Sequence, residues 1–136
     1  MNPASGKRIF VLTSSTGGGH DMRARSLQAW AHHPSQADLG LQVEVFQTLE
    51  SLSGLYRFGV ELYNSIQRTV PWAHHLYFNF LEFAKLHQRA SRIARAARER
   101  FIERVAEAAP DVVVSTHAHL NHGFFELVRQ ARPGCA

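Results

Sequence analysis

Three glycines and a histidine stand where an apolar run gives way to an amphipathic stretch: Ser15-Thr16-Gly17-Gly18-Gly19-His20 follows the run 8–14. Glycines in such a turn let the backbone approach a ligand closely. The helix that follows offers free N–H groups and a positive dipole end, so phosphate or another anion is the expected guest. No Gly-Lys-Ser/Thr follows, which excludes a Walker loop, and the spacing is not the GxGxxG dinucleotide fingerprint. On the glycines alone, an anion cradle and a plain strand-to-helix turn both fit. His20 adds an imidazole at the mouth of the loop, a group able to take a proton from a hydroxyl. Its other reading is a local hydrogen bond at the start of the helix.

A second cluster follows a later apolar run. His117, His119 and His122 are two and three residues apart. No carboxylate or cysteine joins them, and such a loop lacks the second shell a metal centre needs, so no metal site is expected. His117 reads as a substrate contact, with plain loop polarity as the alternative.

The elements that must carry these residues alternate. The run 8–14 reads as a buried parallel strand. A helix is expected over 20–33, with Ala24, Leu27 and Ala31 on one face and Pro34 closing it. Residues 42–46 read as a second strand, which makes a right-handed βαβ unit. Helices are expected over 55–69 and 72–86, interrupted at Pro71, and over 88–108. The last has the apolar stripe Ala90, Ala94, Ala97, Phe101, Val105 and Ala108. A third strand is expected over 111–116, a polar exit loop over 117–122, and a helix over 123–132. Both histidine-bearing loops then leave the carboxyl edge of the sheet, where ligands of open α/β sheets bind. The expected fold class is α/β: Rossmann-like βα units on a short parallel sheet.

The 136 residues are enough for one domain, 1–136. The alternation calls for a further strand after Pro133, so an α/β domain cut short is expected. No apolar run is long enough to span a bilayer, the N-terminus is not a secretory signal, and Cys135 is the lone cysteine. A cytoplasmic location is expected.

The net charge of +4 is uneven. Between positions 85 and 104 lie Lys85, Arg89, Arg92, Arg95, Arg98, Arg100 and Arg104, opposed only by Glu99 and Glu103. Such a face suits an anionic partner, lipid headgroups or nucleic acid, or it is a solvated helix surface with pairs such as Arg95–Glu99. No nucleic-acid motif is present, and no nucleic-acid partner is expected. The aromatics Trp72, Tyr77, Phe78 and Phe80 adjoin the basic stretch. They read either as packed core or as side chains at a membrane boundary, where one side is apolar and the other meets anionic headgroups.

Taken in order, three segments carry a resemblance. They are the loop Ser14 to His20, the aromatic segment from Tyr63 through Pro71-Trp72 to Tyr77, and the strand from Pro110 to Ser115-Thr116-His117. Together they resemble the opening half of the monogalactosyldiacylglycerol synthases and processive diacylglycerol glucosyltransferases. The resemblance covers nearly the whole chain and departs from the family pattern at Ser15, Asp21 and Ala118. It implies the incomplete N-terminal, acceptor-side half of a GT-B fold, peripheral to the membrane. It also implies transfer of a hexose from a UDP-sugar, as donor substrate, to a lipid acceptor such as diacylglycerol. No cofactor is implied, and this chain alone is expected to be inactive. His20 matches the suspected catalytic base. Thr16, Gly17, Gly18 and Gly19 match the loop facing the cleft, and Thr116 and His117 the second acceptor-side loop. Trp72, Tyr77, Phe78, Phe80, Lys85, Arg89 and Arg92 are the expected lipid contacts. The alternative is a stand-alone, non-catalytic module that binds membranes or anions.

Overall fold

A computed structural model describes residues 6–83, 86–121 and 123–136, with side chains at all of these except 78, 80–83, 86–94 and 119. The chain forms β1 (Arg8–Thr13), α1 (Gly19–Ala31), β2 (Gln42–Gln47), α2 (Thr48–Leu52) and α3 (Gly54–Thr69). It continues with α4 (His74–Phe83), α5 (Leu86–Ala108), β3 (Val112–Ser115) and α6 (Phe124–Ala131). The strands form one parallel sheet in the order β2-β1-β3, with Ile9 of β1 opposite both Val43 and Val112. This is the expected α/β class.

β1 alternates its side chains between two cores, as the period of a strand requires. On one face Phe10 and Leu12, with Val113, pack against Leu52 of α2, Ala97, Phe101 and Val105 of α5, and Val128 of α6. On the other, Val11 and Val43 pack against Ala24 and Ala31 of α1. Leu27 packs at the margin of that second cluster. The buried positions Ala97, Phe101 and Val105 recur every four residues along α5, the stripe expected of a helix lying on a sheet. Phe101 is fully buried and meets Phe124 edge-on, with centroids 5.0 Å apart.

The basic helix is put to structural use at its C-terminal end. The Arg104 guanidinium lies over the rings of Phe10 and Phe46, at 5.6 and 5.9 Å from their centroids. It pairs with Glu44 and, at 3.6 Å, with Glu107. Arg98 donates to Gln130 of α6 at 2.9 Å. Among the described residues no Arg95–Glu99 pair forms; Arg95, Arg98 and Arg100 stay exposed. Lys85 and the side chains of Arg89 and Arg92 lie outside the described residues, as do those of Ala90 and Ala94.

Three local elements differ from the sequence reading. Helix α1 ends at Ala31, and Pro34 opens a 3-10 turn over Pro34–Leu39 rather than merely closing the helix. Proline fits the first turn of such an element because no donor is needed there. Thr48–Leu52 forms a short helix directly after β2, where no element was expected. Pro71 opens a 3-10 turn over Pro71–Ala73 before α4 begins. On the open side of β3, Ala136 donates to the Asp111 carbonyl and accepts from the Val113 N–H, at 3.0 and 2.9 Å. No helix among the described residues is long and apolar enough to cross a membrane.

Two outcomes follow from this packing. Phe101→Ala opens a cavity under the sheet and is expected to lower unfolding stability by about 3–5 kcal/mol in urea titration. At the sheet's start the Arg8 N–H donates to Asp111 Oδ2 at 2.8 Å. That bond, helped by the charges of Lys7, Arg8 and Arg132, holds the Asp111 carboxyl below its ordinary range. A depressed folded value stabilises the fold above the ordinary aspartate pKa of about 4. Asp111→Asn should therefore be the less stable protein at neutral pH. The difference should close as pH falls through the lowered value in acid-unfolding curves.

Candidate functional site at the sheet's carboxyl edge

The strand order makes a crevice. From β1 the chain winds to β2 on one side and later returns to β3 on the other. The loops leaving β1 and β3 therefore diverge at their carboxyl ends, the switch point at which open α/β sheets take ligands. Both histidine-bearing loops emerge there.

The loop after β1 is built on left-handed glycines. Gly17 and Gly18 have φ of +69° and +76°, a region where a Cβ is strained. Gly18 donates to the Ser15 carbonyl at 3.2 Å, which closes a turn, and its own carbonyl accepts from the Met22 N–H at 3.1 Å. Helix α1 thus starts with Gly18 as its N-cap and no side-chain cap. Two side chains from later helices hold the loop from outside. Glu50 of α2 accepts through a single oxygen from Ser14 Oγ at 3.1 Å and from Ser15 N and Ser15 Oγ, each at 2.7 Å. Its second oxygen is buried with no hydrogen-bond partner among the described residues. Asn64 of α3 accepts from the Gly17 N–H at 2.8 Å and donates to the Ser15 carbonyl at 3.1 Å. Thr16 shares a hydroxyl–hydroxyl bond of 2.8 Å with Ser14.

These bonds decide which amides are left for a ligand. The N–H groups of Ser15, Gly17 and Gly18 are already committed within the protein. An anion at this edge would meet the first-turn amides of Gly19, His20 and Asp21 instead. Two carboxylates stand nearby, Glu50 and Asp21, the latter bound by Arg25 at 2.7 Å and by Gln47.

His20 crosses the crevice. Its Nδ1 lies 2.6 Å from the Thr116 carbonyl oxygen. A carbonyl only accepts, so Nδ1 carries the hydrogen, and in the neutral ring Nε2 holds the lone pair. The His20 ring meets the His117 ring with centroids 4.3 Å apart and planes tilted by 49°. His117 is only 5% exposed, so it backs His20 rather than lining open solvent. Thr116 turns its side chain inward: Oγ1 bonds Thr13 Oγ1 at 2.9 Å, and its N–H bonds the Leu12 carbonyl at 3.0 Å. Its contribution to the edge is the carbonyl.

An aromatic group borders the loop. A Cβ on Gly17 would stand 4.0 Å from the Tyr63 ring. Tyr63 packs against His74 and Tyr77, with centroids at 5.7 and 5.8 Å. Tyr77 is half-buried, and its hydroxyl donates to the Gly59 carbonyl at 3.2 Å. Burial, and then the neighbouring Tyr63, push its phenol up. Trp72 is 73% exposed and Phe58 61%. The side chains of Phe78 and Phe80 lie outside the described residues.

The sequence reading thus brought His20, His117 and the glycine loop to one edge. It missed Glu50 and Asn64. The available signal for Asn64 was a polar residue one turn after the buried Val60 on the inner face of α3; for Glu50 it was a carboxylate two residues before the buried Leu52. Among the described residues no three His, Cys, Asp or Glu side chains gather as metal ligands. A cavity of about 410 Å³ lies at the opposite end of the sheet, lined by Arg8, His32, Glu44, Arg104 and Glu107 among others. Arg104 there already has two carboxylate partners, Glu44 and Glu107. No protein-family model, no curated protein and no solved structure matches the chain.

The glycines are separable by experiment. Gly17→Ala and Gly18→Ala should each lower thermal stability by about 1–2 kcal/mol, because both positions are left-handed. Gly19→Ala should be neutral or stabilising by up to about 1 kcal/mol, since it lies in the helix with nothing within 4 Å of a new Cβ.

Proposed function

We propose that the chain is the acceptor side of a GT-B glycosyltransferase that moves a hexose from a UDP-sugar to the hydroxyl of a membrane lipid such as diacylglycerol. The observation that carries the reading is the 2.6 Å contact between His20 Nδ1 and the Thr116 carbonyl. It fixes the tautomer in which Nε2 is the base, at the sheet edge where a substrate would dock. In this reading Nε2 takes the proton of the acceptor hydroxyl. The freed oxygen forms a bond to the sugar's anomeric carbon while the bond from that carbon to the nucleotide diphosphate breaks and UDP departs. The amides of Gly19, His20 and Asp21 and the α1 dipole support charge at this end. A second Rossmann-like domain takes most of the nucleotide sugar.

The membrane side of the reading is supported by α3 and the turn after it. Leu55, Phe58 and Leu62 are exposed at spacings of three and four on α3, and Trp72 and Leu76 are exposed beyond Pro71. Arg57, Glu61 and Arg68 are exposed on the flank of the same helix. An exposed apolar stripe with a net positive flank suits an anionic bilayer surface, where a peripheral protein lies without spanning it.

The test is sugar transfer by the native gene product. It should be given diacylglycerol in vesicles rich in anionic phospholipid, with labelled UDP-hexoses. A labelled glycolipid is expected, and His20→Ala should reduce its rate by about 100- to 10,000-fold without weakening flotation with the vesicles. Vesicle binding with no transfer from any UDP-hexose would instead favour the stand-alone binding module. Full turnover in His20→Ala would remove the base from this mechanism.

A further inference from the structure

Asn64 hydrogen-bonds the left-handed Gly17 from outside the loop, and its two bonds straddle Thr16. Its Oδ1 accepts from Gly17 N–H, and its Nδ2 donates to the carbonyl of Ser15. Only an amide side chain presents an acceptor and a donor side by side in this way; aspartate accepts alone, and leucine does neither. The Ser15 carbonyl is also the oxygen that receives the Gly18 N–H and so closes the turn leading into α1. One side chain on α3 therefore grips both ends of the short backbone stretch that decides where α1 begins.

That starting point sets His20. The histidine lies two residues after the Gly18 cap, in a first turn with no side-chain cap of its own. Its ring must reach the Thr116 carbonyl, which belongs to a loop 96 positions away in sequence. A left-handed glycine pair is free to relax once nothing holds it, because glycine has many other accessible conformations. Loosening the turn would let the uncapped start of α1 fray and draw Nδ1 away from its carbonyl. Glu50 does not duplicate this grip, since its bonds reach only Ser14 and Ser15.

We propose that Asn64 is a positioning residue for the base. By clamping the glycine turn it fixes the start of α1 and so the tautomer and place of the His20 ring. The inference deepens the glycosyl-transfer reading and rests on it for the word base. The clamp itself is independent of any reaction.

The experiment compares wild-type protein with Asn64→Leu, which keeps the bulk and loses both bonds, and Asn64→Asp, which keeps the acceptor and loses the donor. Amide exchange at Gly17, the imidazole nitrogen shifts of His20, and sugar transfer are measured on each. In N64L the Gly17 amide should exchange at least about 10-fold faster while Val11 and Leu12 of β1 keep their protection. The His20 ring should lose its single Nδ1-protonated signature. Turnover should fall about 10- to 100-fold at unchanged KM for the lipid, as expected when a base is slightly misplaced. N64D should retain most Gly17 protection and recover part of the turnover. If N64L does not fold, N64D decides through the His20 ring: a signature midway between one tautomer and a mixture is expected, and one identical to wild type overturns the proposal. Unchanged Gly17 exchange in folded N64L overturns the clamp. Faster exchange with unaltered His20 shifts makes Asn64 merely structural and overturns the positioning role. Absence of sugar transfer by the wild type sinks the glycosyltransferase reading instead, and exchange and ring shifts then decide Asn64 by themselves.

Discussion

Parallel pairing of β1 on both of its edges is the constraint from which the rest follows. With β2 on one side and β3 on the other, every residue from Ile9 to Leu12 has a partner in each direction. Helices cover both faces of the strand, so its middle has to be apolar: Phe10, Val11 and Leu12 are each at most 1% exposed. The β1–β2 and β2–β3 connections pack on opposite faces, so α1 covers one face while α2 and α5, joined by α6, cover the other. The crevice at the carboxyl edge is then a consequence of winding and not a separate construction. Any polar group carried by the first residues after β1 and β3 is delivered to it.

The edge is polar, yet it is assembled by spending polar groups on one another. Thr13, Thr116, Ser14, Ser15 and Thr16 all bond within the protein. Each of these bonds has a modest net value in stability, but an unpaired buried donor or acceptor would cost more than the bond yields. The result is a stiff rim with few free donors. Left-handed glycines inside this rim are tolerable because Asn64 and Glu50 hold the strand-to-helix turn from two neighbouring helices. The His20–Thr116 bond belongs to the same pattern, and it differs in leaving one ring nitrogen as a lone-pair acceptor.

Much of this was legible in the sequence, and the division has physical reasons. The run 8–14, the glycine turn and the run 111–116 are local signals: continuous apolar residues ended by glycine or by serine and threonine. Their placement at one edge follows from parallel topology alone, so His20 and His117 were expected to share it. The five residues of α2 are too few for a helical period to appear, which is why Thr48–Leu52 was not anticipated. Glu50 and Asn64 were invisible for another reason. Each is one polar residue in a helix, and its meaning lies in a loop 35 to 49 positions earlier. Tyr77 and Trp72 show the same limit among aromatics. They look alike in the sequence, but contact with Gly59 and Tyr63 of α3 half-buries the first and leaves the second in solvent.

The distribution of charge at the edge bears on which substrate end it favours. A phosphate-cradling glycine loop aims several consecutive N–H groups at its guest and keeps anions away from it. Here three loop amides are turned inward, and Glu50 sits within 2.7 Å of the Ser15 nitrogen. Asp21 adds a second carboxylate in the first turn of α1, where its own interaction with the helix dipole is favourable. A dianionic diphosphate pressed into this loop would face Glu50, and also Asp21, whose charge Arg25 offsets in part, and Coulomb repulsion between partly buried charges is poorly screened. A neutral hydroxyl meets no such penalty and, in the proposed reaction, would find its base in His20 Nε2. The local electrostatics therefore suit the proposed reading, in which the acceptor hydroxyl sits at this edge and a donor's phosphates would reach only the open end of α1.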